Sequence, residues 1–290
     1  MQSLKPFEYV EPATIEEAVS LLSDYADKGK LLAGGVDIMP RLRHRKIKPA
    51  FILNIKKIQG LDYIDGNGGD GLRFGALTTI RSIELSPVIR KDYSILYEAA
   101  HQLPSHQVKS MGTMVGNLCV GTPASDMATS LLALDAELKI VNTSGEKILP
   151  IEDFYIGVGQ TVLEPGDMVT EVILPSVMPG TRGSYQHLVR TRADISKVCV
   201  AVWITITDGI CKQARIALGA VAPTVFRAKK AEALLNGREL DQDVIEAASQ
   251  AASQETKPIT DLRSTAEYRK EAAGILVKRA LNKTLERAKA

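Results

Sequence analysis

The chain has 290 residues, 45% hydrophobic and 24% charged, enough to bury a sizeable core in about two domains. Lys plus Arg number 36 against 34 Asp plus Glu, a formal net charge of +2, so the composition carries no electrostatic footprint for nucleic acid. The Met1 end has no apolar signal segment and no apolar run reaches membrane-spanning length, which predicts a cytoplasmic protein without a membrane span.

Phe7 to Val10 reads as a short strand. Thr14 and Glu17 form a capping box that opens a helix with Ile15, Ala18, Val19, Leu22 and Ala26 on its apolar face, and Gly29 stands where a C-terminal cap belongs. Leu31-Leu32-Ala33 is a buried strand running into Gly34-Gly35-Val36-Asp37; the basic segment Arg41 to Lys48 and a further strand, Phe51 to Ile55, follow. Strand, helix, strand, glycine turn, helix, strand is the order of a small parallel α/β unit.

Leu61 to Ile64 and Leu72 to Ala76 read as a hairpin. Its loop matches G-x-G-x-x-G through Gly66, Gly68 and Gly71 but leads into a strand, whereas a dinucleotide fingerprint opens a helix, so it is rejected as a binding motif. Ile80 to Leu85 and Pro87 to Leu103 have helical spacing, with Ile89, Tyr93, Leu96 and Tyr97 as the core stripe. Lys109 to Asp126 then reads as a long loop holding Gly112, Gly116, Gly121, Thr113, Thr122, Asn117 and Ser125, before a helix from Met127 to Leu134 capped by Ser125 or Asp126. Hairpin strands flank Ser144-Gly145, and Pro165-Gly166-Asp167 turns into the strand Met168 to Leu174.

Pro175 to Gly183 is the best candidate domain boundary. Beyond it, Ser184 to Val189, Val198 to Thr207 and Ile210 to Gly219 alternate as strands, the last two joined by Asp208-Gly209. Val225 to Leu235, Asp241 to Ser253 and Ala266 to Ala288 are helical, giving a sheet covered by helices. Cys119, Cys199 and Cys211 are odd in number and far apart, and read as small buried hydrophobes; His44, His101, His106 and His187 form no metal-binding pattern.

Two glycine-rich turns beside helix starts can grip the two ends of a diphosphate from backbone N–H groups. Taken singly, each is equally compatible with an ordinary connection. Together they carry a resemblance: Ala33-Gly34-Gly35-Val36-Asp37 looks like Ala-Gly-Gly-Thr-Asp, Gly112-Thr113-Met114-Val115-Gly116-Asn117 looks like Gly-Thr-x-Gly-Gly-Asn, and Thr122-Pro123-Ala124-Ser125-Asp126 matches the Pro-x-x-Asp that follows. In that order the motifs resemble the FAD-binding medium subunit of the molybdenum hydroxylases, the carbon monoxide, xanthine and nicotinate dehydrogenase group, and the resemblance covers essentially the whole chain.

The resemblance implies an α+β architecture: a two-subdomain FAD-binding fold of the vanillyl-alcohol-oxidase (PCMH) type, residues 1–177 with subdomains of about 1–57 and 58–177, then an antiparallel-sheet-plus-helices domain, 184–290, closing over the flavin. It also implies the site. Leu31, Leu32, Ala33, Gly34, Gly35, Val36, Asp37 and Ile38 would wrap the diphosphate of FAD, with Thr113, Met114, Val115, Gly116 and Asn117 opposite. Ser125 and Asp126 would meet the adenosine side or the ribityl chain, and Val169 and Gln186 would lie near the ring.

Four positions depart from the family pattern. Val36 replaces a threonine, Val115 replaces the first of two glycines, Lys109-Ser110 stands for Arg-Asn, and Gln186 stands where several relatives have lysine. Val115 weighs most, since a β-branched residue holds positive φ poorly and crowds an approaching phosphate.

The implied role is electron transfer. FAD would exchange electrons with two [2Fe-2S] clusters on a small subunit, a molybdenum cofactor on a large subunit, and NAD or another acceptor, in a dimer of heterotrimers. Three cysteines cannot build those clusters here, so partner chains would supply them. No general acid, base or nucleophile stands out; Arg190, Asp194 and Lys197 fall where the second domain would approach the flavin, or form a solvated strand-end cluster. Two other readings compete: a free-standing flavin oxidoreductase with its own small-molecule substrate, and an assembly module that has lost FAD.

Overall fold

In the computed structural model, which describes residues 4–66 and 71–289, three larger sheets and one two-stranded ribbon carry the described residues. The first is parallel, order β1-β3-β2, from β1 (Glu8–Val10), β2 (Gly29–Leu32) and β3 (Phe51–Asn54). Helix α1 (Ile15–Tyr25) connects β1 to β2 and α2 (Ile38–Arg43) connects β2 to β3, as the alternation of apolar strands and amphipathic helix predicts. Thr14 caps α1 by accepting from the Glu17 N–H at 3.1 Å, and the Glu17 carboxylate reaches back to the Ala13 N–H at 2.7 Å. Ala26 ends α1 at φ 46°, and Gly29 caps the 3-10 turn that follows, its N–H donating to the Ala26 carbonyl, before it opens β2.

The second sheet is antiparallel, order β4-β5-β10-β6-β7. A hairpin forms from β4 (Ile64–Asp65) and β5 (Leu72–Gly75), but its first strand is two residues long and shares only Ile64 with the expected Leu61 to Ile64, and residues 67–70 of the glycine-rich loop lie outside the described residues. Helices α3 (Ile80–Leu85), α4 (Pro87–Asp92), α5 (Ser94–Gln102), α6 (His106–Met111), α7 (Met114–Cys119) and α8 (Asp126–Ala133) follow. The single helix expected over Pro87 to Leu103 is two, broken where Tyr93 takes φ −123°, ψ 54° and its hydroxyl donates to the Pro175 carbonyl at 2.9 Å. Strands β6 (Glu137–Asn142) and β7 (Gly145–Pro150), the small ribbon β8 (Tyr155–Gly157) with β9 (Gln160–Thr161), and β10 (Met168–Leu174) complete this part. β10 sits in the middle of the sheet and is buried along nearly its whole length, its one charge, Glu171, being paired with Arg73 at 2.7 Å.

After the proline-rich link, β11 (Thr181–Leu188), β12 (Val198–Thr207), β13 (Ile210–Gly219) and β14 (Phe226–Arg227) make an antiparallel sheet. The β12–β13 turn takes φ 52° at Asp208 and 79° at Gly209, the positive pair that a two-residue Asp-Gly hairpin turn demands. Helices α9 (Lys229–Leu235), α10 (Gln242–Glu255) and α11 (Ala266–Lys289) cover one face. Residues of β12 alternate between two cores: Val198, Val200, Val202 and Ile204 face these helices, while Cys199, Ala201 and Trp203 join the core of the N-terminal half. Cys199 and Cys211 are buried as expected, but Cys119 is exposed at the end of α7.

Candidate functional site

The glycine turn begins where β2 runs out. Leu31 and Leu32 are the last two residues of β2, Ala33 to Val36 turn, Asp37 stands at the N-cap of α2, and Ile38 is its first residue. Gly35 takes φ 80°, open to glycine with little strain. The N–H groups of Gly34, Gly35, Val36 and Asp37 donate no hydrogen bond within the described residues. Four successive free backbone donors at a partly exposed turn are what an oxyanion needs. Asp37 answers for its own charge through Arg41, at 2.6 Å.

The second segment is not the loop expected from its glycines and threonines. Helix α6 ends at Met111, Gly112 and Thr113 form a two-residue joint, and α7 follows at once. The joint is held by Ile80 N–H donating to the Gly112 carbonyl (2.9 Å) and Met114 N–H donating to the Thr78 carbonyl (3.1 Å). Thr113 Oγ1 accepts from the Gly116 N–H at 3.0 Å, a helix cap. Val115 therefore has helical backbone angles, and its side chain is 6% exposed in the hydrophobic core beside Met114 and Leu118. The expectation of strain at Val115 fails on both counts: no positive φ is required there, and the side chain points into the protein. Its N–H, in the first turn of α7, is left without an acceptor among the described residues.

The two segments touch. A Cβ built on Gly34 would stand 1.9 Å from the Met111 carbonyl oxygen and 3.0 Å from Gly112 Cα. A Cβ on Gly112 would in turn meet Val36 Cγ2 at 3.6 Å. Gly34 is thus required by the close approach of the two backbones, whereas Gly112 is required by its own helix, a Cβ there standing 2.9 Å from the Val108 carbonyl oxygen; the first turn lies against the joint of the second segment.

Beyond the joint, Asn117 Oδ1 accepts from Ser125 Oγ, and Ser125 Oγ accepts from the Ala128 N–H at 3.0 Å, so Ser125 is the cap of α8. Asp126, in the first turn of α8, turns toward the C-terminal sheet. Its Oδ1 accepts from the fully buried Tyr185 hydroxyl and from Ser196 Oγ at 2.9 Å, with His187 Nδ1 at 3.8 Å. Burial, then the Asp126 charge, pushes the Tyr185 phenol well above its ordinary range and keeps it a donor. Val169 is buried in β10, and Gln186 in β11 donates to Ser184 Oγ at 2.9 Å. The structure thus unites the two glycine segments and ties Asn117 to Ser125; Asp126 belongs to the contact between the halves, and Gln186 bonds within its own strand. Arg190 and Asp194 pair at 3.3 Å on a mostly exposed arginine.

The sequence gives no sign of two groups that fix this geometry. Glu84 is 8% exposed and takes Lys109 Nζ (2.7 Å) and His101 Nδ1 (3.0 Å) on one oxygen and Arg81 (2.6 Å) on the other. Burial pushes this carboxyl up, but the hydrogen bonds from Lys109, Arg81 and His101 outweigh it and bring it to about 2. Lys109 is itself 3% exposed and lies in α6 three residues before Gly112, so the cluster anchors the helix that delivers the joint. Glu98 of α5 bonds the Tyr185 N–H at 2.7 Å and also takes Arg287 and, at 3.2 Å, Lys283 of α11, tying both ends of the C-terminal part to the first half.

Residues 5–177 match the family described as the FAD binding domain in molybdopterin dehydrogenase, and residues 183–284 match the CO dehydrogenase flavoprotein C-terminal domain. The chain is 32% identical over 276 residues to the carbon monoxide dehydrogenase medium chain of Hydrogenophaga pseudoflava, covering 95% of this chain and 96% of that one. It is 30% identical over 278 residues to the nicotine 6-hydroxylase medium subunit of Paenarthrobacter nicotinovorans, 96% and 97% of the two chains. A solved structure of carbon monoxide dehydrogenase from Hydrogenophaga pseudoflava, lacking the Mo-pyranopterin moiety, superposes with a TM-score of 0.95 at 33% identity over 99% of both chains.

Proposed function

The chain belongs to the FAD-binding medium subunits of the molybdenum hydroxylases, and we propose that within such a complex it passes electrons between iron–sulfur clusters and an external acceptor. One observation carries the reading most directly: the free N–H groups of Gly34 to Asp37 face a backbone approach at Gly34 that leaves no room for a side chain. This cradle fits a diphosphate. Leu31 to Ile38 hold one side of it, and the Val115 amide with the Asn117 side-chain amide supplies the other, the Val115 side chain having no part. Ser125 orients Asn117 through its hydroxyl. Val36, 39% exposed, offers an apolar surface where the usual threonine would offer a hydroxyl.

When bound, FAD supplies the exchange between two-electron and one-electron chemistry that no side chain can provide. The protein's part is to bind, orient and shield. Asp126, Ser196 and Tyr185 lock the C-terminal sheet to α8 and so fix the wall nearest the second segment. Val169 and Gln186 are assigned to the ring side, and residues 1–177 (about 1–57 and 58–177) and 184–290 to the two domains. The partners are a molybdenum-cofactor large subunit and a small subunit with two [2Fe-2S] clusters, assembled as a dimer of heterotrimers in the cytoplasm, with NAD or another carrier as acceptor. Among the described residues no helix is long and apolar enough to cross a membrane.

The absorbance spectrum of purified protein tests the reading. Flavin bands in the visible that survive gel filtration support it; colourless protein that free FAD cannot reconstitute refutes it. Co-purification of molybdenum and iron with partner chains separates a subunit from a free-standing flavin enzyme.

A further inference from the structure

The basic segment Arg41 to Lys48 takes no part in the cradle. It holds Arg41, Arg43, His44, Arg45, Lys46 and Lys48 in eight residues of a chain whose net charge is +2. Only Arg41 is paired, with Asp37. Arg43, His44, Arg45, Lys46 and Lys48 are exposed, and none makes an ion pair or side-chain hydrogen bond among the described residues. Some exposed cations elsewhere find carboxylates, as Lys57 does with Glu11, Lys278 with Glu246 and Lys229 with Glu152, and others such as Lys30, Lys91 and Lys212 find none among the described residues; what sets this segment apart is four unpaired Lys and Arg side chains within the six residues 43–48.

The backbone presents these charges at some expense. Helix α2 closes with Lys46 N–H donating to the Arg41 carbonyl (2.9 Å) and Arg45 N–H to the Leu42 carbonyl (3.0 Å), which leaves Arg45 at φ 54°. That left-handed position after a helix is the one glycine usually fills, and a side chain there costs about 1 kcal/mol. Strain retained at an exposed arginine points to a use for its charge. Beside it, Leu4, Phe7, Ile47 and Pro49 floor a shallow depression rimmed by Lys5, Arg45 and Lys48.

We propose that Lys5, Arg43, Arg45, Lys46 and Lys48 form a docking surface for the acidic face of a protein electron carrier that meets the complex transiently. The proposal rests on the electron-transfer reading above. A small apolar floor inside an unpaired charged rim suits a brief encounter, in which charge complementarity raises the association rate; a permanent subunit interface has a larger, charge-poor centre. A nucleic acid would want a longer stripe with aromatic side chains for stacking, and Phe7 is the one aromatic in the depression. Along α2, Ile38 at the cradle and Arg43 at the patch are five residues apart, a rise of about 7.5 Å.

The test uses the purified, flavin-loaded complex with an immobilised acidic c-type cytochrome as probe and a basic cytochrome c as charge control. In any accompanying turnover one reduced flavin gives its two electrons to two ferric haems and releases two protons. The wild-type complex should bind the acidic probe with an association rate that falls as salt rises. The triple variant Arg43→Glu, Lys46→Glu, Lys48→Glu should associate at least about tenfold more slowly at low ionic strength and converge on wild type in about 0.5 M salt, with its flavin content unchanged. Unchanged binding, or equal loss toward the basic control, overturns the proposal. So does a variant that keeps flavin but no longer assembles with its partner chains, which makes the patch a subunit interface. Loss of binding to anionic phospholipid vesicles without loss toward the acidic cytochrome overturns it in favour of a membrane surface. A wild-type complex without flavin would sink the electron-transfer reading instead, and the flavin spectrum tells that failure apart.

Discussion

Replacing Gly34 by alanine is the sharpest probe of the cradle. The added Cβ would lie 1.9 Å from the Met111 carbonyl oxygen, where ordinary contact begins at 3.4 Å, so one of two backbone segments must retreat by about 1.5 Å. Neither can yield by rotating a side chain. Met111 ends α6, which the Lys109–Glu84 pair holds, and the joint after it is pinned through Gly112 and Met114. A shift of that size breaks the alignment of two amide–phosphate hydrogen bonds, each worth about 1.5–3 kcal/mol when one partner is charged. The expected loss is about 3–6 kcal/mol of FAD binding, a rise in Kd of about 10²- to 10⁴-fold. Titration of the apoprotein with FAD, followed by flavin fluorescence quenching, measures it. Gly60→Ala is the control, because Gly60 has φ 76° but nothing within 4 Å of its Cβ position; it should lower stability and leave FAD affinity alone. If Gly34→Ala binds FAD within about threefold of wild type, corresponding to about 0.7 kcal/mol, the cradle is not where the diphosphate sits.

Three further outcomes follow from the same geometry. Val115→Gly, which a flavin-crowding valine would make favourable, should instead destabilise the protein by about 2–3 kcal/mol in urea unfolding, because it empties a core position and puts glycine in a helix, and it should not tighten FAD binding. Glu84→Gln leaves Lys109 buried without a counter-charge and should cost about 3–5 kcal/mol at neutral pH. The folded-state pKa of Glu84 is depressed to about 2 from 4.5, so its stabilisation is present above 4.5 and fades as pH falls toward 2; the gap between wild type and Glu84→Gln should narrow over that window in thermal melts, and a constant gap would refute the assignment. Tyr185→Phe removes one donor from Asp126 while Ser196 remains, and should cost about 1–3 kcal/mol in urea unfolding, with no loss if the phenol contributes nothing.

Much of this was legible before the fold was known, and for a physical reason. Strands β12 and β13 have enough length for their pattern to show, with Asp208-Gly209 marking the turn, and α1, α10 and α11 are long enough to display a 3.6-residue period. The motifs were legible too, since glycines at 34 and 112 answer to a steric demand that no other residue meets. What failed was local. Helices α6 and α7 have six residues each, too few for a period to appear, so glycine and threonine content made a loop of Lys109 to Asp126. The caps at Ser105 and Thr113 were the available signal, each three residues before the N–H it accepts from. The break at Tyr93 depends on a hydroxyl bond to Pro175, eighty-two residues away, and Glu84 with its three partners is assembled from α3, α5 and α6; neither leaves a trace in the local pattern.

The alternation along β12 has a consequence for how the protein is made. While the chain is being synthesised, everything up to β10 can leave the ribosome before Cys199, Ala201 and Trp203 arrive to complete its hydrophobic interior. For that interval the nascent N-terminal half has one wall missing and its apolar side is open to water and to neighbours. A terminated fragment of the first 177 residues would stay in that condition. It should aggregate or be captured by chaperones where the full chain does not, and co-expression of the remaining 113 residues, by restoring the wall, should recover soluble protein.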